Sequence, residues 1–165
     1  DDAVARGLRS FAPLEHRIEP CGSVKGAACY NDSKATNVDA SLKAIAAFPE
    51  ARPIILLGGD DKGTDLTSLV EAAHRHARAV ICFGAAGGRF EDAFSTAAPA
   101  APEGFQVLRA EKLADAFDAA CGIAGEGDVI LLSPACASFD EFTCFEERGS
   151  VFKQLVADRA SRLGA

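Results

Sequence analysis

The sequence predicts an α/β protein, a doubly wound and mainly parallel sheet with helices on both faces, and three observations carry that prediction. Short apolar runs alternate with segments of helical periodicity along the whole chain. One of those runs, Pro53-Ile54-Ile55-Leu56-Leu57, is apolar without alternation, as strands covered on both faces are. The runs end in turns rich in glycine and short polar residues, from which the next helix starts.

Taken in order, Val4, Leu8 and Phe11 recur at helical spacing, but Gly7 and Pro13 weaken a helix there. Residues 1–14 are therefore assigned to a linker or the tail of a preceding domain, and residues 15–165 to one domain. Glu15 to Val24 is expected to be the first strand, with Arg17 just inside it, and Lys25-Gly26 turns the chain into a second strand ending at Tyr30. This hairpin supplies the one expected antiparallel strand, near the N-terminus.

The polar stretch Tyr30-Asn31-Asp32-Ser33-Lys34-Ala35-Thr36-Asn37 comes next, followed by Val38, Leu42, Ile45 and Phe48 at helical spacing. Thr36 or Asn37 can cap that helix, and its free N–H groups and dipole favour an anion. Capping explains one or two of Asp32, Ser33, Lys34 and Thr36. An acid, a base and two hydroxyls so close together suggest chemistry as well.

A strand over Pro53 to Leu57 ends in Gly58-Gly59, which permits a tight turn, and Lys62 follows among Asp60, Asp61 and Asp65. The helix expected from Leu66 to Arg78 carries His74 and His76 on different faces, which argues against a metal pair. A strand from Ala79 to Phe83 leads to Gly84-Ala85-Ala86-Gly87-Gly88, which lacks dinucleotide-binding glycine spacing and is assigned as a plain turn. A helix from Arg89 to Ala97, a loop to Gly104, a strand from Phe105 to Leu108 and a helix from Ala110 to Ala124 follow. The last strand, Asp128 to Leu132, runs into Ser133-Pro134-Ala135-Cys136-Ala137-Ser138, and a final helix opens at Phe145 with Val151, Phe152, Leu155 and Val156 facing the core.

Bulk properties narrow the function. A chain of 165 residues that is 48% hydrophobic forms a core without staples. Its formal charge of −7 argues against nucleic acid and against an anionic membrane as partners. No apolar run approaches the roughly 20 residues of a membrane span, and no signal peptide opens the chain. The six cysteines show no zinc spacing, and several lie in apolar runs, so they are expected to be reduced in a cytoplasmic protein. Cys136 has no histidine placed by sequence to activate it. Neither a G-x-S-x-G elbow nor a P-loop is present. The chain also contains no methionine, and an excised piece of a longer protein is expected.

In an open parallel sheet the carboxyl ends of strands share one edge, so the turns after Tyr30, Leu57 and Leu132 can face one crevice. Together, Asn31-Asp32-Ser33-Lys34-Ala35-Thr36-Asn37, Leu57-Gly58-Gly59-Asp60-Asp61-Lys62-Gly63, and Leu131 to Asp140 running on to Phe145-Glu146-Glu147-Arg148-Gly149 resemble the Rossmann-like C-terminal domain of the Mur ligase family of peptidoglycan synthesis. The resemblance covers the chain from about His16 to its end and is to the D-glutamate-adding member. It implies two further domains, one for a UDP-sugar and a central ATPase holding most of the ATP and Mg2+ contacts, of which residues 1–14 would be the tail.

The implied reaction phosphorylates the carboxylate of UDP-N-acetylmuramoyl-L-alanine with ATP, after which the amine of D-glutamate attacks the acyl phosphate. By position, the resemblance assigns Thr36, Lys62, Ser138 and the backbone around Phe145 to D-glutamate, and Arg17 and Asp32 to ATP. Lys34 would approach the reacting groups. The residue types suit these tasks: a lysine, hydroxyls and backbone amides can hold two carboxylates, and cations stabilise a transferring phosphoryl group. A stand-alone binding module for a nucleotide or small acid is one competing reading. A sibling ligase that adds glutamate to folate is another, and the amino acid used separates it.

Overall fold

The computed structural model describes residues 14–164. The expected helical spacing at Val4, Leu8 and Phe11 lies outside the described residues. Six strands, β1 (Glu19–Val24), β2 (Ala27–Asn31), β3 (Ile54–Gly58), β4 (Ala79–Phe83), β5 (Gln106–Arg109) and β6 (Val129–Leu132), form one sheet in the order β1-β2-β6-β3-β4-β5. Only the β1–β2 pair is antiparallel; the other four pairings are parallel. The helices are α1 (Val38–Ala46), α2 (Thr67–His76), α3 (Gly87–Thr96), α4 (Leu113–Ile123) and α5 (Phe145–Leu163), with a short 3-10 turn at Ala98–Ala100.

β3 explains the layering. Its side chains alternate faces although its sequence does not alternate in polarity. Ile54 and Leu56 join the cluster built with α4 and α5, including Phe117 and Phe152. Ile55 and Leu57 join the opposite cluster, with Leu69 and Val70 of α2 and Phe90 and Phe94 of α3. All four strand residues are fully buried, and each such side chain contributes roughly 1.5–3 kcal/mol. A polar residue here would lose that contribution on one face while leaving the other packed.

Three elements start two or more residues from where the sequence places them, and one helix buries a different face. β1 starts at Glu19, not Glu15, because His16 (φ 63°) and Ile18 (φ 45°) adopt left-handed backbone that cannot continue a strand; Arg17 therefore lies in the turn before the strand. α3 begins inside the glycine turn, at Gly87, instead of at Arg89. α4 begins at Leu113, after the Lys112 amide donates to Asp115 Oδ2 at 3.2 Å. In α5 the buried stripe is Arg148, Phe152 and Val156, four residues apart, and Val151 is 36% exposed instead of facing the core.

Candidate functional site

Because β2, β6 and β3 are adjacent and parallel, the turns that leave their carboxyl ends stand side by side. Backbone hydrogen bonds stitch them together: Asp32 N to Leu132 O (2.8 Å), Gly58 N to Pro134 O (2.9 Å) and Asp60 N to Ala137 O (2.9 Å). Gly59 makes this approach possible, since it has φ 131° and a Cβ there would lie 2.3 Å from Ala137 O. Asn37 caps α1, its Oδ1 accepting from Ala40 N at 2.9 Å. The amides of Ser33, Lys34, Ala35 and Thr36 are donated within the protein, which leaves the side chains and the first turn of α1 to meet an anion.

Arg148 organises these turns from below. Its side chain is fully buried, and it donates through Nε to Ser33 Oγ (2.9 Å), through Nη1 to Ala137 O (3.0 Å), and through Nη2 to Ser33 O (2.9 Å) and Cys136 O (3.0 Å). Ser33 Oγ in turn donates to Phe145 O at 2.7 Å. One planar guanidinium thus joins the β2 turn, the β6 turn and the start of α5. Burial lowers its pKa to about 10, so it remains charged at neutral pH. Its acceptors are carbonyls and a hydroxyl.

A second polar knot lies beside it. Asn31 Nδ2 is 2.9 Å from His16 Nδ1 and donates to Glu19 Oε2 at 3.1 Å, while its Oδ1 accepts from Ser33 N. That arrangement makes His16 Nδ1 the acceptor. Gly149 is required where α5 meets this knot, because a Cβ would sit 2.2 Å from His16 Nδ1. Lys153, one turn further on, pairs with Glu15 and Glu19.

Asp32 is the buried acid of the site. Its Oδ1 accepts from Ile18 N (3.1 Å) and its Oδ2 from Ser133 Oγ (2.8 Å), and Ser133 also contacts Ser41 of α1 (3.1 Å). Burial dominates these bonds and pushes its pKa up to about 6. Arg17, Asp32, Lys34, Asp39 and Lys43 line one concavity of about 300 Å3. A larger groove of about 590 Å3 runs between α2 and α3, but its walls, such as Val70, Ala93 and Ala97, belong to the helix layer and not to the three turns.

The raised Asp32 pKa fixes a sign. Between the unfolded value near 3.8 and about 6, the folded state binds more protons than the unfolded one, so this residue's contribution to stability falls as pH rises through that window. We expect Asp32→Asn, whose effect isolates this one group, to become progressively less destabilising relative to wild type from pH 4 to pH 7. Urea unfolding at several pH values measures it; a pH-independent difference would contradict the assignment.

The sequence matches the Mur ligase, glutamate ligase domain over residues 16–136. The chain belongs to the Mur ligase family. It is 42% identical over 161 residues to the UDP-N-acetylmuramoylalanine--D-glutamate ligase of Koribacter versatilis, covering 98% of this chain and 34% of that protein. With the enzyme of the same name from Solibacter usitatus it shares 45% identity over 154 residues, 93% of this chain and 33% of the relative. The chain thus spans about a third of the length of the curated relatives it matches.

Among solved structures, a bifunctional folylpolyglutamate synthase/dihydrofolate synthase from Yersinia pestis, complexed with AMPPNP and manganese, superposes with a TM-score of 0.65 at 15% identity. That match covers 94% of this chain and 34% of the other. A murein peptide ligase from Psychrobacter arcticus gives 0.62 at 16% identity, covering 96% and 32%. At such identity these two show the shared Mur ligase fold.

Within this Mur ligase domain the structure gathers Arg17, Asp32 and Lys34 around one concavity, and places Lys34 Nζ 5.8 Å from the centre of the Phe145 ring. Thr36 is half-buried beside them and Lys62 is exposed on the neighbouring turn. Ser138 is buried, and its carbonyl accepts from the amides of Glu141 and Phe142, which fixes the following loop. The Phe145 carbonyl is already engaged by Ser33. Among the described residues no hydrogen bond joins Lys62 to Thr36 or Ser138.

Cys136 is buried with its thiol pushed up to about 12 by that burial, which rules out a thiolate nucleophile at neutral pH. All six thiols are unpaired in the structure. Sequence reasoning missed Arg148, Asn31 and Ser133. The signal for Arg148 was available: it stands four and eight residues before Phe152 and Val156, in phase with the stripe that faces the core.

Proposed function

We propose that this domain presents D-glutamate to an activated carboxyl group in an ATP-dependent ligase that extends UDP-N-acetylmuramoyl-L-alanine. The identity of 42% and 45% to D-glutamate ligases over nearly the whole chain carries this reading. Lys62, Thr36 and Ser138 hold the two carboxylates of D-glutamate in it, with amides near Phe145 in support. Arg17 and Asp32 meet the nucleotide, and Lys34 approaches the phosphoryl group being transferred.

The donor set suits one edge of a nucleotide. Arg17, Lys34 and Lys43 bring positive charge to a concavity whose floor is a carboxylate. Each Asp32 oxygen accepts one hydrogen bond here, and a carboxylate oxygen has a second lone pair for a ribose hydroxyl. Among the described residues no three His, Cys, Asp or Glu converge on a metal, so Mg2+ is assigned to residues of the central domain in this reading. When bound, ATP supplies the phosphoryl group that activates the acceptor carboxylate. This chain orients the incoming amine and excludes water from the activated carboxyl, a positional contribution of several powers of ten in rate.

No helix of the described residues is long and apolar enough to cross a membrane. We assign the enzyme to the cytoplasm on its proposed use of ATP and a UDP-linked substrate. The test is an assay of the full-length protein from the same gene with UDP-N-acetylmuramoyl-L-alanine, ATP and either enantiomer of glutamate. ATP-dependent product formation is expected with D-glutamate alone, and not with the 165-residue chain by itself. A preference for L-glutamate on a folate acceptor, or ATP turnover by the isolated chain, would overturn the assignment.

A further inference from the structure

We propose that Arg89 is a positioning residue for Lys62: gripping the chain on both sides of it, Arg89 holds the Lys62 turn in the shape that binds the amino-acid substrate and withholds Asp61 from the lysine. The inference rests on the assignment of Lys62 to D-glutamate. Arg89 stands in the first turn of α3, outside the three turns that follow β2, β3 and β6. Its Nη1 donates to Asp61 Oδ2 at 2.5 Å and its Nη2 to Thr64 O, so one guanidinium spans the residue before Lys62 and the second residue after it.

Arg89 grips from a fixed base. Ala86 N donates to Gly59 O at 2.9 Å, and Ala85 N donates to Asp140 Oδ2 at 3.0 Å, so the start of α3 is tied to the β3 turn and to the loop after Ser138. The segment it grips has no regular secondary structure of its own. Residues 61–66 belong to no helix or strand, and a Cβ built on Gly63, at φ 73°, would meet nothing within 4 Å.

The charges around Lys62 are arranged to leave its ammonium available. Asp61, whose side chain is only 12% exposed, is answered by Arg89, and Asp65 accepts from the amide and hydroxyl of Thr67. Among the described residues no ion pair includes Lys62. A freely exposed pair contributes little to stability, and Arg89 itself is 41% exposed. The consequence of losing it is therefore local. The turn gains freedom, and a carboxylate adjacent to Lys62 is released to compete for it.

The test has two parts. In the 165-residue chain, Arg89→Ala is expected to speed amide hydrogen exchange at residues 61–65 at least several-fold while the amides of β3 and β4 stay protected. In the full-length protein it is expected to raise KM for D-glutamate about fivefold with kcat and the ATP constant within twofold, a split that general loss of structure would not give. Adding Asp61→Asn should recover part of the loss, and Arg89→Ala on a Lys62→Ala background should add little. Unchanged exchange, or an unchanged D-glutamate constant when Lys62→Ala does raise it, would overturn the role of Arg89. If Lys62→Ala itself leaves that constant unchanged, the assignment of Lys62 fails and this inference with it.

Discussion

Replacing Arg148 with methionine is expected to destabilise the domain by about 3–5 kcal/mol, the largest effect of any single substitution we derive. Methionine fills much of the same volume, so the loss measures hydrogen bonding more than cavity formation. The carbonyls of Ser33 and Cys136 and the hydroxyl of Ser33 would lose their buried donor, and the Ala137 carbonyl would keep only the Asp60 amide. Each buried group left unsatisfied costs roughly 1–3 kcal/mol, partly offset because an arginine whose charge is costly to bury is removed too. For a domain of this size the melting temperature should fall by about 10 °C or more. Arg148→Lys keeps the charge but not the fork, and should recover a minority of the loss. A calorimetric midpoint within about 2 °C of wild type would show that the guanidinium is not what holds the β2 turn, the β6 turn and the start of α5 together.

The strands and helices were legible because each is set by local signals: the unbroken apolar run of β3, the helical phase of Val38 and Ile45 in α1, the glycines that close β3. The crevice was legible at one remove. Once the strands are parallel, their carboxyl ends share an edge whatever the side chains are. What stayed hidden are contacts between residues far apart in sequence. Arg148 and Ser33 are 115 residues apart, and Asp32 and Ser133 are 101 apart. Nothing near Arg148 distinguishes it from a solvated helix arginine except its phase, and the expected stripe through Val151 assumed that charged residues face water. Arg17 reads as a strand residue for a separate reason: the left-handed backbone at His16 and Ile18 has no glycine to announce it.

Lys62→Ala in the full-length protein is expected to raise KM for D-glutamate at least tenfold while changing the ATP constant much less. Removing the charged partner of a carboxylate typically costs about 1.5–3 kcal/mol, roughly 10- to 150-fold in apparent affinity. The alternative is that Lys62 merely offsets Asp60, Asp61 and Asp65, which the sequence alone leaves open. The fold weighs against it: Asp61 is held by Arg89 and Asp65 by Thr67, and among the described residues no ion pair joins Lys62 to Asp60. Lys62 is exposed at the carboxyl edge of the sheet, on the turn stitched to the one that carries Ser138. Neutralising a lysine that has no ion-pair partner among the described residues should hardly move the melting temperature, so lost affinity would not be a consequence of lost fold. Steady-state kinetics with each substrate varied in turn, beside a thermal scan of the same preparation, decides the matter. A D-glutamate constant within twofold of wild type in a folded variant would return Lys62 to the role of a surface charge.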